Sequence, residues 1–268
     1  MLKTFLPSNL YGQSFGTKTP KVLMLHGWQR SSNDFSKIGA LLESNYSISS
    51  VAIDLPGFGV SDYSFSKNAN ENDLFVAGSL EYAKKLSSVI QSEFDNFIIL
   101  GHSFGGRVAI RLANIFPNQV MALVLTGVPL ISNPNSKKTK QNKLLKTYKT
   151  LNRLNLMPET KVEKLRLKYG SLDYRNATRE LRNTLVKVIA ETNEGVYLDE
   201  LSRSQCTVKL VWGDSDTEIP VEVAKKSLET IEHADITLKV VAEASHMLPL
   251  EKPELFADML ASLVAESG

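Results

Sequence analysis

Six short apolar runs constrain this chain more than any other feature: Val22 to Leu25, Ser47 to Ile53, Phe97 to Leu100, Met121 to Thr126, Val208 to Trp212 and Thr237 to Val241. Each is too short for a core helix. Each is rich in β-branched residues and lacks strict apolar–polar alternation, the pattern of a strand buried on both faces. Helical patterns lie between them, over Phe35–Leu42, Gly78–Gln91, Phe104–Ile115, Val221–Ile231 and Pro253–Val264. Strand alternating with helix predicts an α/β fold, a mostly parallel twisted sheet with helices on both faces. Ligands of such sheets bind beyond the carboxyl ends of the strands. The runs end there in His26-Gly27, Asp54-Leu55-Pro56-Gly57, Gly101, Gly127 and Gly213.

One segment breaks this rhythm. From Leu130 to Arg203 there is no strand pattern, and helical stretches are separated near Pro134, Pro158, Gly170 and Gly195. We read 130–203 as an inserted helical cap, with 1–129 and 204–268 forming the core. The cap carries 16 Lys/Arg against 8 Asp/Glu, whereas the rest carries 15 against 21. The stretch Ser136–Lys143 reads as a flexible basic loop. Lysines at 137, 138, 140, 143, 146 and 149 read as a solvated face, with Leu144, Leu145 and Leu151 as an apolar underside. The alternative is a basic surface that attracts anionic substrates or a membrane.

The bulk composition narrows the classes. A length of 268 residues with 43% hydrophobic and 22% charged residues suits a globular chain with a large core. A net charge of +2 gives no reason to expect a nucleic-acid partner. The single cysteine, Cys206, cannot form an internal disulfide and offers no zinc spacing. The opening MLKTFLPSNLYGQSFG lacks a charged region followed by a long apolar run, and no stretch approaches a membrane span. A cytoplasmic protein is expected.

Gly101-His102-Ser103-Phe104-Gly105-Gly106 follows an apolar run and opens a helix. This is G-x-S-x-G in the context that gives it meaning: a sharp strand-to-helix turn that thrusts the Ser103 hydroxyl outward. Gly101 and Gly105 are small because backbone passes close to the turn, and the helix dipole behind Ser103 favours developing negative charge. A serine needs a base to take its proton. His102 adjoins Ser103, but its side chain points elsewhere on the turn. His233 lies in a polar connection and reads as solvated. His26 is read as holding the loop that it begins. His246 follows the last strand, in Ala244-Ser245-His246-Met247, and is the expected base. A carboxylate must orient it. Asp216 is preferred over Asp214, which stands nearer its strand and reads as a turn cap. Backbone N–H groups of Phe104 and Trp28 are expected to form the oxyanion hole. The same two residues line the substrate site. No metal or cofactor is required.

These motifs, together with His26-Gly27-Trp28 and Asp54-Leu55-Pro56-Gly57-Phe58-Gly59, resemble those of the α/β-hydrolase superfamily over nearly the whole chain. The chain looks like its small capped members: carboxylesterases, lipase-like enzymes, meta-cleavage-product hydrolases and cofactor-free haloperoxidases. The resemblance implies a Ser-Asp-His order of catalytic groups. Serine at 103 sets the chain apart from similar dehalogenases and epoxide hydrolases, which place aspartate there. Two features depart from the pattern. Ser245 stands where glycine usually precedes the histidine, and the short segment before Lys21 leaves open whether the first strands are reduced or absent. The expected activity is hydrolysis of a small-molecule ester through an acyl-enzyme on Ser103. The alternatives are C–C bond hydrolysis or perhydrolysis by the same triad, or a small-molecule binder with little turnover.

Overall fold

The computed structural model describes residues 2–5, 8–65, 76–133, 158–169, 171–233 and 235–267. Eight strands form one sheet: β1 Leu2–Phe5, β2 Leu10–Phe15, β3 Val22–Leu25, β4 Ser50–Ile53, β5 Phe97–His102, β6 Val120–Thr126, β7 Thr207–Gly213 and β8 Ile236–Val241. Their order is β1-β2-β4-β3-β5-β6-β7-β8. The segment before Lys21 therefore carries two full strands. β1 pairs antiparallel with β2, and β2 antiparallel with β4, while β4 through β8 run parallel. These two antiparallel strands escape a search for continuous apolar runs. Antiparallel strands can leave one face to solvent, and β2 reads LYGQSF.

The central strands are buried on both faces, and their residues alternate between two cores. Leu23, Leu25, Ile99, Leu123 and Leu125 face one core; Val22, Met24, Ile98, Leu100, Ala122 and Val124 face the other. The second core is closed by α1 (Ser36–Tyr46) and the last helix, Pro253–Glu266, through Ile38, Leu42, Phe256 and Leu260. The first is closed by α2 (Ser79–Glu93) and α3 (Phe104–Ile115), through Tyr82, Leu86, Val108 and Leu112. On α3 ten consecutive residues, Phe104 to Ala113, are buried, including Arg107 and Arg111.

Among the described residues four helices lie between β6 and β7: α4 Glu159–Tyr169, α5 Leu172–Asn176, α6 Arg179–Asn193 and α7 Val196–Arg203. No strand occurs there among the described residues. The basic stretch 136–143, the lysines to 149, Leu144, Leu145, Leu151, Pro134 and Gly170 lie outside the described residues. Thr178 caps α6 by accepting the Leu181 N–H. α3 is tied to α6 and α7 by a buried cluster in which Arg111 pairs with Glu191 and Glu200, and Glu191 accepts from Ser79 Oγ and Tyr197 OH. After β7 come α8 (Val221–Leu228) and, before the last helix, a short α9 (Leu248–Glu251), leaving Pro253–Glu266 as α10. Among the described residues no helix is long and apolar enough to cross a membrane. Cys206 is buried, which pushes its thiol up to about 11.

Candidate active site

The strand order reverses about β3 and β5, and in open parallel sheets that reversal opens a crevice at the carboxyl ends. The register pairs Leu25 with Gly101, so His26-Gly27-Trp28 lies beside His102-Ser103. Ser103 is the N-cap of α3, with φ 49° and ψ −110°. A non-glycine residue there costs on the order of 1–3 kcal/mol, sustained only by what surrounds it. The Ser103 N–H donates to the Thr126 carbonyl at 2.9 Å, and its own carbonyl accepts from Gly106 N–H at 3.1 Å. The small neighbours are required. A Cβ on Gly105 would stand 2.1 Å from the Leu25 carbonyl oxygen, and one on Gly101 would stand 2.6 Å from Gly106 Cα.

His246 lies beyond β8 and is buried. Its Nδ1–H donates to Asp216 Oδ2 at 2.8 Å. Asp216 Oδ1 accepts the N–H groups of Glu218 and Ile219 at 2.9 and 2.8 Å, so the carboxylate is held in one orientation. Nε2 is thereby left as the lone-pair nitrogen. It hydrogen-bonds to no described residue; the exposed Glu218 carboxylate stands 3.7 Å away. No hydrogen bond joins Nε2 to Ser103 Oγ among the described residues, yet both residues border the same cavity. Asp214 is exposed and receives only the Ser215 hydroxyl.

Each of the other histidines has a different environment. His102 is buried, and its Nε2–H donates to the His246 carbonyl at 2.9 Å. Burial and the neighbouring His246 lower its pKa to about 3. It is a neutral prop under the His246 loop. His26 Nε2 accepts the Leu55 N–H at 3.0 Å, so its proton sits on Nδ1 and is donated to the Gly27 carbonyl at 2.7 Å. Burial lowers its pKa as well. The Asp54–Gly59 segment thus braces the Trp28 loop: Asp54 accepts from Ser32 and Val60 N–H groups while Leu55 holds His26. His233 is half-buried, its Nδ1 accepting from Asp235 N–H and its Nε2 sealed from solvent, so it is less solvated than its polar surroundings suggest. Ser245 turns its hydroxyl to Glu251, which also accepts the Ser245 N–H. That contact explains how serine serves in place of glycine.

The cavity has two lobes. One, of about 430 Å³, is lined by Phe104, Arg107, Ile131, Leu185, Ile189 and Thr192 among others. The second, of about 310 Å³, is lined by Gly27, Gln29, Arg30 and His102. Trp28, Ser103, Asp173, Glu218 and His246 border both. The Trp28 ring stands edge-on to Phe104 and Phe58, at 5.3 and 5.0 Å between centroids. The backbone N–H groups of Trp28 and Phe104 find no partner among the described residues. Sequence reasoning missed Arg107, Asp173, Glu218 and Gly127. Arg107 carried a signal, a cation one turn after the elbow on a helix whose first turns are otherwise small or apolar. Gly127 has φ 59°, and a Cβ there would reach 2.7 Å from His246 Cε1. Asp173 carried none.

Residues 22–259 match the model of the Alpha/beta hydrolase family, and the chain belongs to that family. It is similar to rat (Rattus norvegicus) monoacylglycerol lipase ABHD6, 22% identical over 91% of this chain and 76% of that protein. A shorter match, to juvenile hormone epoxide hydrolase of Manduca sexta, is 33% identical but spans only 45% of this chain and 26% of that protein. Among solved structures, the monoacylglycerol lipase of Paleococcus ferrophilus has the same fold, with a TM-score of 0.66 at 22% identity over 95% of this chain and 99% of that one. The relatives make this protein a hydrolase with lipase- and esterase-like kin.

Proposed function

We propose that the protein is a serine esterase that cleaves a small-molecule ester through an acyl-enzyme on Ser103. The observation that carries this reading is the buried Asp216–His246 pair, 2.8 Å apart, with Nε2 free beside the strained Ser103 turn. Ser103 Oγ forms a bond to the ester carbonyl carbon as His246 Nε2 takes its proton, and Asp216 stabilises the imidazolium. The Trp28 and Phe104 N–H groups, unengaged among the described residues, receive the oxyanion. Collapse breaks the ester C–O bond, and the proton passes to the leaving alkoxide. Water then attacks the acyl-enzyme, giving up a proton to Nε2. The second collapse releases the acid and returns that proton to Ser103. Trp28 and Phe104 line the substrate site. Residues 130–203 act as the cap over the core of 1–129 and 204–268, with α6 as its described roof. The substrate is a small molecule, and the protein works in the cytoplasm.

The monoacylglycerol lipase relatives matched over most of the sequence support an ester over the C–C bond and perhydrolysis alternatives. Ser103 stands where similar epoxide hydrolases place aspartate, which speaks against epoxide opening despite the shorter match. The test is turnover of 4-nitrophenyl esters of increasing acyl length, with Ser103→Ala as the blank. Ser103→Ala should lose nearly all turnover, keeping roughly 10³-fold over water from binding and the oxyanion hole. A fluorophosphonate should label the wild type and not the variant. Labelling that survives the substitution, or inertness towards all the esters, rejects the reading.

A further inference from the structure

Two arginines border the cavity, and they differ in one respect. Arg30, in the second lobe, is held by both oxygens of Asp34, at 2.7 and 2.6 Å, so its charge is met within the protein. Arg107, in the first lobe, is only 6% exposed and has no such partner. A guanidinium offers five N–H donors. Among the described residues Arg107 uses one, from Nη2 to Thr192 Oγ1 at 3.0 Å. No described carboxylate lies within ion-pair distance, and Nε is sealed from solvent without an acceptor. The nearest acid in electrostatic reach, Glu191, is already engaged by Ser79, Tyr197 and Arg111. The Arg107 guanidinium rests instead over the Tyr197 ring, 5.6 Å from its centroid.

Buried charges are normally paired, because an unpaired one loses its hydration without return. Burial lowers the Arg107 pKa, and Tyr197 and Glu191 offset this only from a distance. Arg111, one turn further along α3, shows the structural solution: two carboxylates. Arg107 shares the helix but faces the cavity, and the described residues bring it no carboxylate.

We propose that Arg107 binds a carboxylate of the substrate, so that the natural ester presents an anionic end to the first lobe. The proposal rests on the esterase reading above. The spacing suits it: Arg107 follows Ser103 by four residues, a rise of roughly 6 Å along α3. A short acyl chain therefore spans from the attacked carbonyl to the guanidinium, across Leu185 and Ile189. A carboxylate fits better than a phosphate dianion. Among the described residues Arg107 is the one cavity-lining cation without a carboxylate partner, and Asp173 and Glu218 border the same cavity near His246, where they repel a second negative charge and favour the anion at the Arg107 end. The fork geometry of guanidinium also matches a carboxylate bidentately.

The test compares kcat/KM for the 4-nitrophenyl monoester of glutarate with that for neutral 4-nitrophenyl hexanoate, of nearly the same length. The wild type should prefer the charged ester by tenfold or more. Arg107→Met should lower kcat/KM for the charged ester on the order of 30–100-fold, the value of a charged hydrogen-bonded contact. It should change that for hexanoate by less than about threefold. Arg107→Lys should recover part of the loss. A merely structural arginine would depress both esters alike, and that result overturns the proposal. If Arg107→Met does not fold, the wild-type preference decides: hexanoate turnover without preference for the charged ester overturns the proposal and leaves the esterase reading intact. Failure to turn over either ester overturns both. Glutarate should also raise the melting temperature of the wild type and not of a folded Arg107 variant, a readout independent of turnover; equal shifts overturn the proposal.

Discussion

Asp214 and Asp216 are two residues apart, and their environments differ. Asp216 is buried and divides its oxygens between His246 and two backbone N–H groups. Asp214 is exposed beside Ser215. Asp216→Asn should lower kcat by a large factor, on the order of 10⁴, because an amide NH₂ turned to Nδ1 favours the wrong imidazole tautomer. Asp214→Asn should leave kcat within about twofold. Steady-state kinetics of both variants on one aryl ester checks the assignment, and reversed effects would reject it. The choice between these neighbours was legible beforehand only as a preference. The structure adds a contact: the chain turns so that Asp216 faces inward and accepts the His246 Nδ1–H, and Asp214 does not.

At the scale of elements, the site depends on how closely α3 approaches β3. The Leu25 carbonyl occupies the space that a Cβ on Gly105 would need, and it is backbone, which cannot rotate away. Gly105→Ala must therefore push the start of α3 off the sheet and tilt Ser103 out of register with His246. Overpacking of this kind costs about 1–3 kcal/mol. Urea titration should show a lower midpoint, and fluorophosphonate labelling of Ser103 should slow more than the stability loss accounts for. Unchanged labelling at lowered stability would mean that the turn tolerates displacement. Both β3 and α3 match the ranges predicted for them, Val22–Leu25 and Phe104–Ile115. Strand and helix periodicity are local properties. The distance between the two elements is not, although the glycines hint at it.

Across the whole molecule, two neutral histidines are built into the sheet edge. His26 and His102 are buried with lowered pKa values, His102 at about 3. An unfolded chain takes up a proton on each ring near pH 6.5, whereas the folded chain does not. Stability from these groups is thus present above about pH 6.5 and falls as the pH drops towards the folded values. At pH 4.5, two units below the unfolded value, His102 alone accounts for a loss on the order of 2–3 kcal/mol. Urea titrations at pH 7 and 4.5 should show this loss. His102→Gln, which retains a donor for the His246 carbonyl, should shrink the difference by about that amount. An unchanged difference would mean that His102 is not held neutral in the fold.

The core strands, the helices between them and the Ser103 turn were readable to within a few residues at their ends, because burial on two faces and the backbone demands of the elbow leave marks within a few positions. The chain order of Ser103, Asp216 and His246 was readable through its resemblance to a family. Three things were not. The strands Leu2–Phe5 and Leu10–Phe15 owe their existence to pairing with each other and, through Leu10–Phe15, with β4, not to their own apolarity. The role of His102 depends on a carbonyl 144 residues away. The isolation of Arg107 depends on which carboxylates the four helices after β6 bring to α3. They bring two to Arg111 and none within ion-pair distance of Arg107 among the described residues. Local pattern records how a residue suits its own strand or helix. Whether a buried charge is met, and by what, is decided only where distant parts of the chain come together.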